Sequence, residues 1–242
     1  MKLSNRAKKR IIWAAVLIAL LALRVGWMLY DRSRPITPKK TASKRIQQDY
    51  LVRLPRFYIS GFEEAKRLVG NPIWVKKGFQ LPYFPVGRSG KAAAGGGAGR
   101  LLALEELVVK EVVEQIAPGP SGDRQVLAVF EKEGVSMGTV IGTFDGKRQL
   151  YQMVLDQFFY AKDPRELYSH WSENTWRLIR DHELALDMTF SQVALSIGDG
   201  RLVTQEAGDV QVYEFVRKPG GAAGRCRVRF KGGRVSDFKV LE

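Results

Sequence analysis

His170 and His182 are the two histidines of this 242-residue chain, and at neutral pH they are the first side chains to consider for acid–base or metal chemistry. Neither sits in HExxH or a comparable ligand spacing, and Cys226 is a lone cysteine, so no protein-borne zinc or haem site is expected. Ser172 lies near His170 but lacks the GxSxG elbow that exposes a nucleophile. Glu63 with Glu64, and Glu105 with Glu106, are sequence neighbours that point in different directions. In the Gly- and Ala-rich stretch 90–99, Lys91 precedes the glycines and no Ser or Thr follows, so the P-loop spacing GxxxxGK[ST] is absent. These residues argue against an enzyme, a cofactor or a metal; both histidines read as helix-surface or capping groups.

The most suggestive pattern is basic. Arg225, Arg227 and Arg229 alternate with Cys226, Val228 and Phe230, which predicts a strand with one apolar and one cationic face. Lys231 and Arg234 flank the turn that follows. The five form a candidate docking surface for an acidic partner or for anionic lipid headgroups. The competing reading is an ordinary solvated face that protects the sheet from pairing, and acidic neighbours such as Glu214 or Asp237 across the ladder would decide between them.

Several elements must position that ladder. Thr189 is placed to cap a helix presenting Phe190, Val193 and Ile197, Gly198 to end it, and Gly232-Gly233 to join two strands in a hairpin. Upstream, DPRELYSHWSENTWRLIRDHE reads as helical, with Asp163 as N-cap, Pro164 at the first helical position and a break at Ser172 to Asn174 that splits the run in two. The pattern DMTFSQVALSIGDG, then VYEF, then CRVRFKGGRVSDFKV, resembles the small outer-membrane lipoprotein domain of the SmpA/OmlA kind, whose fold is related to the β-lactamase-inhibitor-protein repeats. Met188, Thr189, Gln192, Val193, Ile197 and Gly198 match that pattern, and Tyr213, Phe215, Val228 and Phe230 fit its strands. Asp187 replaces the usual glycine, Gly200 stands where proline is common, and the lipid-bearing cysteine is absent. The resemblance implies an α+β domain over 156–242 and an accessory role in β-barrel assembly.

Before it, residues 55–155 read as a small β-rich domain. FEEAKRLVG is a short helix stopped by Gly70, and IWVKKGFQLPYFPV is an extended segment. A mobile Gly/Ala loop is expected over 87–100. Closely spaced β-branched runs then predict a small antiparallel barrel or curled sheet, SH3-like by its spacing, in which the strand QVLAVF is covered on both faces.

The N-terminal region carries a third expectation. Residues 11–30 form an apolar run between basic flanks, read as one transmembrane helix with Trp13, Trp27 and Tyr30 at the headgroups and Arg24 snorkelling or meeting an acidic neighbour. No small-x-small cleavage site follows Leu23, which favours an anchor over a removed signal. The net charge of +14 is concentrated there: residues 1–45 hold twelve basic residues and one acid, while the remainder carries only +3. That distribution suits anionic lipid better than nucleic acid. The resulting expectation is an α+β protein with a basic tail (1–10), a membrane helix (11–30), a basic tether (31–54) and two domains. It would be a bacterial single-pass inner-membrane protein with its bulk on the extracytoplasmic, periplasmic side. As a non-catalytic accessory subunit or assembly factor, it would contact other subunits of a membrane complex. A basic module for anionic lipid, polymer or nucleic acid is the alternative.

Overall fold

Side-chain alternation along short strands, more than helical periodicity, organises this chain. The computed structural model describes residues 23–25, 27, 48–87, 97–117, 122–206 and 208–241. Two compact units divide the chain, Met1–Arg45 and Ile46–Glu242, and the architecture below belongs to the second. In order, the strands are β1 (Pro72–Val75), β2 (Pro82–Pro85), β3 (Gly99–Arg100), β4 (Glu106–Val108), β5 (Glu111–Ile116), β6 (Arg124–Lys132), β7 (Val135–Asp145), β8 (Leu150–Met153), β9 (Phe159–Tyr160), β10 (Gly200–Glu206), β11 (Val210–Arg217), β12 (Ala223–Lys231) and β13 (Arg234–Leu241). The helices are α1 (Phe62–Ala65), α2 (Leu155–Phe158), α3 (Pro164–Leu167), α4 (Glu173–Arg180) and α5 (Phe190–Ile197), with 3-10 turns at Gln48–Leu51 and Lys66–Leu68.

The strands make three antiparallel sheets, ordered β4-β1-β9, β3-β2-β7-β6-β5 with β8 also on β7, and β10-β11-β12-β13. The smallest sheet separates two hydrophobic cores. Ile73 and Val75 of β1 enter the first core while Trp74, between them, packs against the second. In β9, Phe159 enters the first core and Tyr160 the second. Neighbouring strand residues point to opposite faces, so this short sheet serves as a wall shared by both cores.

Local chemistry explains the element ends. Thr189 and Gln192 form a reciprocal capping box at the start of α5, and Gly198, at φ +90°, ends it. Asp163 Oδ1 accepts from Arg165 N at 2.8 Å and starts α3. Ser172 Oγ accepts from Thr175 N at 3.2 Å and starts α4, which is why the helical run from Asp163 breaks there. Glu133-Gly134 and Gly232-Gly233 close the β6-β7 and β12-β13 hairpins, with positive φ at both residues of each pair. Gln125 to Phe130 of β6 are all buried, so that strand is covered on both faces.

The α+β expectation requires correction: the described residues are mostly β, in three antiparallel sheets, because the apolar periods are too short to sustain more than two turns of helix. The six-stranded sheet is open. β3 and β5 end it without pairing to each other among the described residues, so no closed SH3-like barrel forms. Residues 48–54, expected in the tether, join the fold: Val52 and Leu54 pack against the second core.

The single-pass membrane expectation, and with it the inner-membrane location, is also corrected. Among the described residues no helix is long and apolar enough to cross a membrane, whereas a helical span needs about twenty apolar residues. Of the expected span, Leu23, Arg24, Val25 and Trp27 are described as helical and exposed. The rest, including Trp13 and Tyr30, lies outside the described residues, as do 88–96 of the Gly/Ala loop.

Candidate functional site

The outer face of the β10-β13 sheet is built by register. Cys226, Val228 and Phe230 point inward and are almost completely buried, leaving Arg225, Arg227 and Arg229 on the opposite face. One cross-strand row reads Arg201, Glu214, Arg227, Lys239, and the next reads Thr204, Val212, Arg229, Asp237. The acids lie directly among the arginines. Glu214 is shared, 3.7 Å from Arg225 Nη1 and 3.3 Å from Arg227 Nη2. Glu206 pairs with Arg229 at 2.9 Å.

Compensation is incomplete. Besides Arg234 at the hairpin end, the face carries six cations, Arg201, Arg225, Arg227, Arg229, Lys231 and Lys239, against Glu206, Glu214 and Asp237. Arg201, Lys231 and Lys239 make no ion pair among the described residues. The paired arginines remain about half exposed, and exposed pairs of this kind contribute only about 0–1 kcal/mol each, so a partner can displace them at little cost.

Of the five ladder residues, Arg225, Arg227, Arg229 and Lys231 share the outer face, and Arg234, directly across from Lys231, donates through Nη1 to the carbonyl of Asp187 at 2.8 Å and fastens the loop before α5. Arg201 and Lys239 join this face from the flanking strands. Alternation within β12 reveals its own arginines, but the rows that bring in β10 and β13 depend on sheet order and on bulges at Leu202/Thr204 and Arg229/Phe230.

Both histidines are held by specific partners. His170 Nε2 donates to Asp49 Oδ1 at 2.8 Å, Trp171 Nε1 donates to the same oxygen at 2.7 Å, and Thr189 Oγ1 donates to Asp49 Oδ2 at 2.5 Å. Asp49, within the stretch expected as a tether, is a nearly buried carboxylate that ties the N-terminal turn to α5. His182 Nδ1 donates to the Ser196 carbonyl at 2.8 Å, and its ring lies 5.1 Å from that of Phe79. Arg217 stacks on the same Phe79 ring, 3.9 Å from its centroid.

Burial shifts several groups nearby. It raises the Tyr160 and Tyr168 hydroxyls above their ordinary range, the charge of Tyr168 adding to the effect at Tyr160. It also raises the thiol of Cys226, which is buried in the second core. Among the described residues, no three or more His, Cys, Asp and Glu side chains are grouped to hold a metal ion.

Two clefts flank the wall sheet. One, of about 510 Å³, runs from Trp74 and the backbone of 102–106 to Trp176, Arg180 and His182. The other, of about 560 Å³, lies between the 56–59 segment, the start of β1 and the 161–166 turn. Neither a protein-family model, nor a curated protein, nor a solved structure matches the chain.

Proposed function

We propose that this chain is a non-catalytic accessory subunit or assembly factor that docks onto an acidic surface of a larger protein complex through the outer face of its β10-β13 sheet. The observation that carries this reading is the incompletely compensated cationic charge of that face, with Arg201, Lys231 and Lys239 making no ion pair among the described residues around three arginines held by two glutamates. Complementary potentials over such a patch steer association and fix register. The resemblance of the C-terminal segment to SmpA/OmlA domains supports an assembly role. Binding of nucleic acid or another polyanion is the second reading. The interleaved carboxylates disfavour it, because Glu206, Glu214 and Asp237 would repel a uniformly anionic backbone but can meet cations on a patterned protein surface.

The test is co-purification of the full chain, followed by reconstitution with the purified partner. Reversal of Arg201, Lys231 and Lys239 to glutamate should abolish binding while circular dichroism stays unchanged, and cross-links should map to β10, β12 and β13. Undiminished binding by the triple variant, or equal binding to an unrelated polyanion, rejects protein docking at this face.

A further inference from the structure

The cleft between the 56–59 segment and the 161–166 turn gathers three basic side chains. Arg56 comes from the segment after the N-terminal turn, Arg67 from the 3-10 turn at Lys66–Leu68, and Lys162 from the link between β9 and α3. Elsewhere many basic side chains find a carboxylate, as in Lys66 with Glu63, Lys77 with Asp199 and Arg124 with Glu114. These three make no ion pair among the described residues, although three separate elements bring them to one cleft. Asp163 and Glu166 also line the cleft, so its cations exceed its carboxylates by one, and an anion placed among the three basic side chains is favoured.

The remaining lining suits a ring. Phe57, Ile73 and the half-buried Trp74 supply apolar and aromatic surface, and the Trp74 indole N–H has no hydrogen-bond acceptor among the described residues. Glu166 also lines the cleft without an ion-pair partner, leaving an acceptor for a hydroxyl or amino group. Asp163 is already engaged as the cap of α3. The wall segment is held in place by Phe57 N donating to Asp156 Oδ1 at 3.0 Å. Between lining residues Phe57 and Ile59, Tyr58 stands 82% exposed with φ +51°, a conformation that costs a non-glycine residue energy and clusters at ligand clamps. A volume of about 560 Å³ accommodates a small organic molecule.

We propose that this cleft binds a small anion carrying a planar ring, with Arg56, Arg67 and Lys162 holding a phosphate or carboxylate and Trp74 packing against the ring. The site is separate from the docking face and uses none of its residues. Guanidinium groups supply paired donors to such oxygens, and the lysine adds a point charge.

Calorimetric titration of the full chain with adenosine monophosphate and with phenyl phosphate tests the proposal, with adenosine and inorganic phosphate as half-ligands. At least one ring-bearing phosphate should bind more tightly than either of its halves. Arg67→Ala and Lys162→Ala should each weaken it about tenfold, the loss expected for one charge-assisted contact. Both substituted side chains are exposed, so the variants should keep the wild-type circular dichroism, and a variant that unfolds is replaced by Arg56→Ala. Absence of binding by both ring-bearing probes overturns the proposal. So does binding that all the variants retain, or binding of inorganic phosphate as tight as that of the complete ligand.

Discussion

His170 Nε2 lies 2.8 Å from Asp49 Oδ1 although 121 residues separate the two in sequence. With Trp171 and Thr189 as further donors, the Asp49 carboxylate joins the N-terminal turn, the link between α3 and α4, and the cap of α5 at one nearly buried point. Asp49→Ala removes the acceptor for three donors at once. We expect a loss of about 3 kcal/mol, the scale set by hydrogen bonds to a charged group and by orphaned buried donors. Urea unfolding followed by tryptophan fluorescence measures it, and a double-mutant cycle with Thr189→Ala should show strong non-additivity.

Alkaline pH should weaken the second core through Tyr160. Its folded pKa is raised, chiefly by burial, so the neutral hydroxyl is the form the fold favours. The associated stability is fully present below the unfolded tyrosine value of about 10 and is lost as pH rises beyond it, at up to about 1.4 kcal/mol per pH unit for one proton. Tyr160→Phe should leave stability at neutral pH little changed, because the ring packing against Tyr168 is kept. It should also flatten the alkaline decline; an identical slope in denaturation midpoints from pH 9.5 to 11.5 would refute the assignment.

Cys226 should report the opening of the β10-β13 sheet. The side chain is fully buried beneath the helices, and burial raises its thiol pKa. A thiol reagent at neutral pH should label it only as fast as the sheet opens, and Val228→Ala should accelerate labelling by removing buried packing in the same core. Rapid labelling of the native chain would contradict the packing.

Glu214→Gln isolates the role of the shared carboxylate. Two arginines lose their ionised partner, so the face gains one net positive charge while both side chains stay in place. We expect faster association with an acidic partner at low salt, converging with the wild type at high salt, and only a small change in stability. Surface plasmon resonance against the purified partner checks both rates.

Legibility in the sequence followed range. Thr189 with Gln192, Asp163 with Pro164, Ser172 and Gly232-Gly233 act over a few residues, and each marks an element end in the structure. Alternation of Arg225, Arg227 and Arg229 with Cys226, Val228 and Phe230 likewise identified the two faces of β12. The α+β expectation failed because local period does not report how many strands a sheet recruits, and no helix among the described residues is long and apolar enough to cross a membrane.

By itself, then, the sequence determined caps, tight turns and the two-sided character of individual strands, since those depend on backbone hydrogen bonds and φ preferences within a few residues. Only the tertiary structure decided that Trp74 and Tyr160 face a different core from their neighbours, that Asp49 reaches His170, and that Arg201 and Lys239 join the arginines of β12. Those relationships arise from strand register and sheet order across long separations, where burial of the whole apolar surface selects the partner.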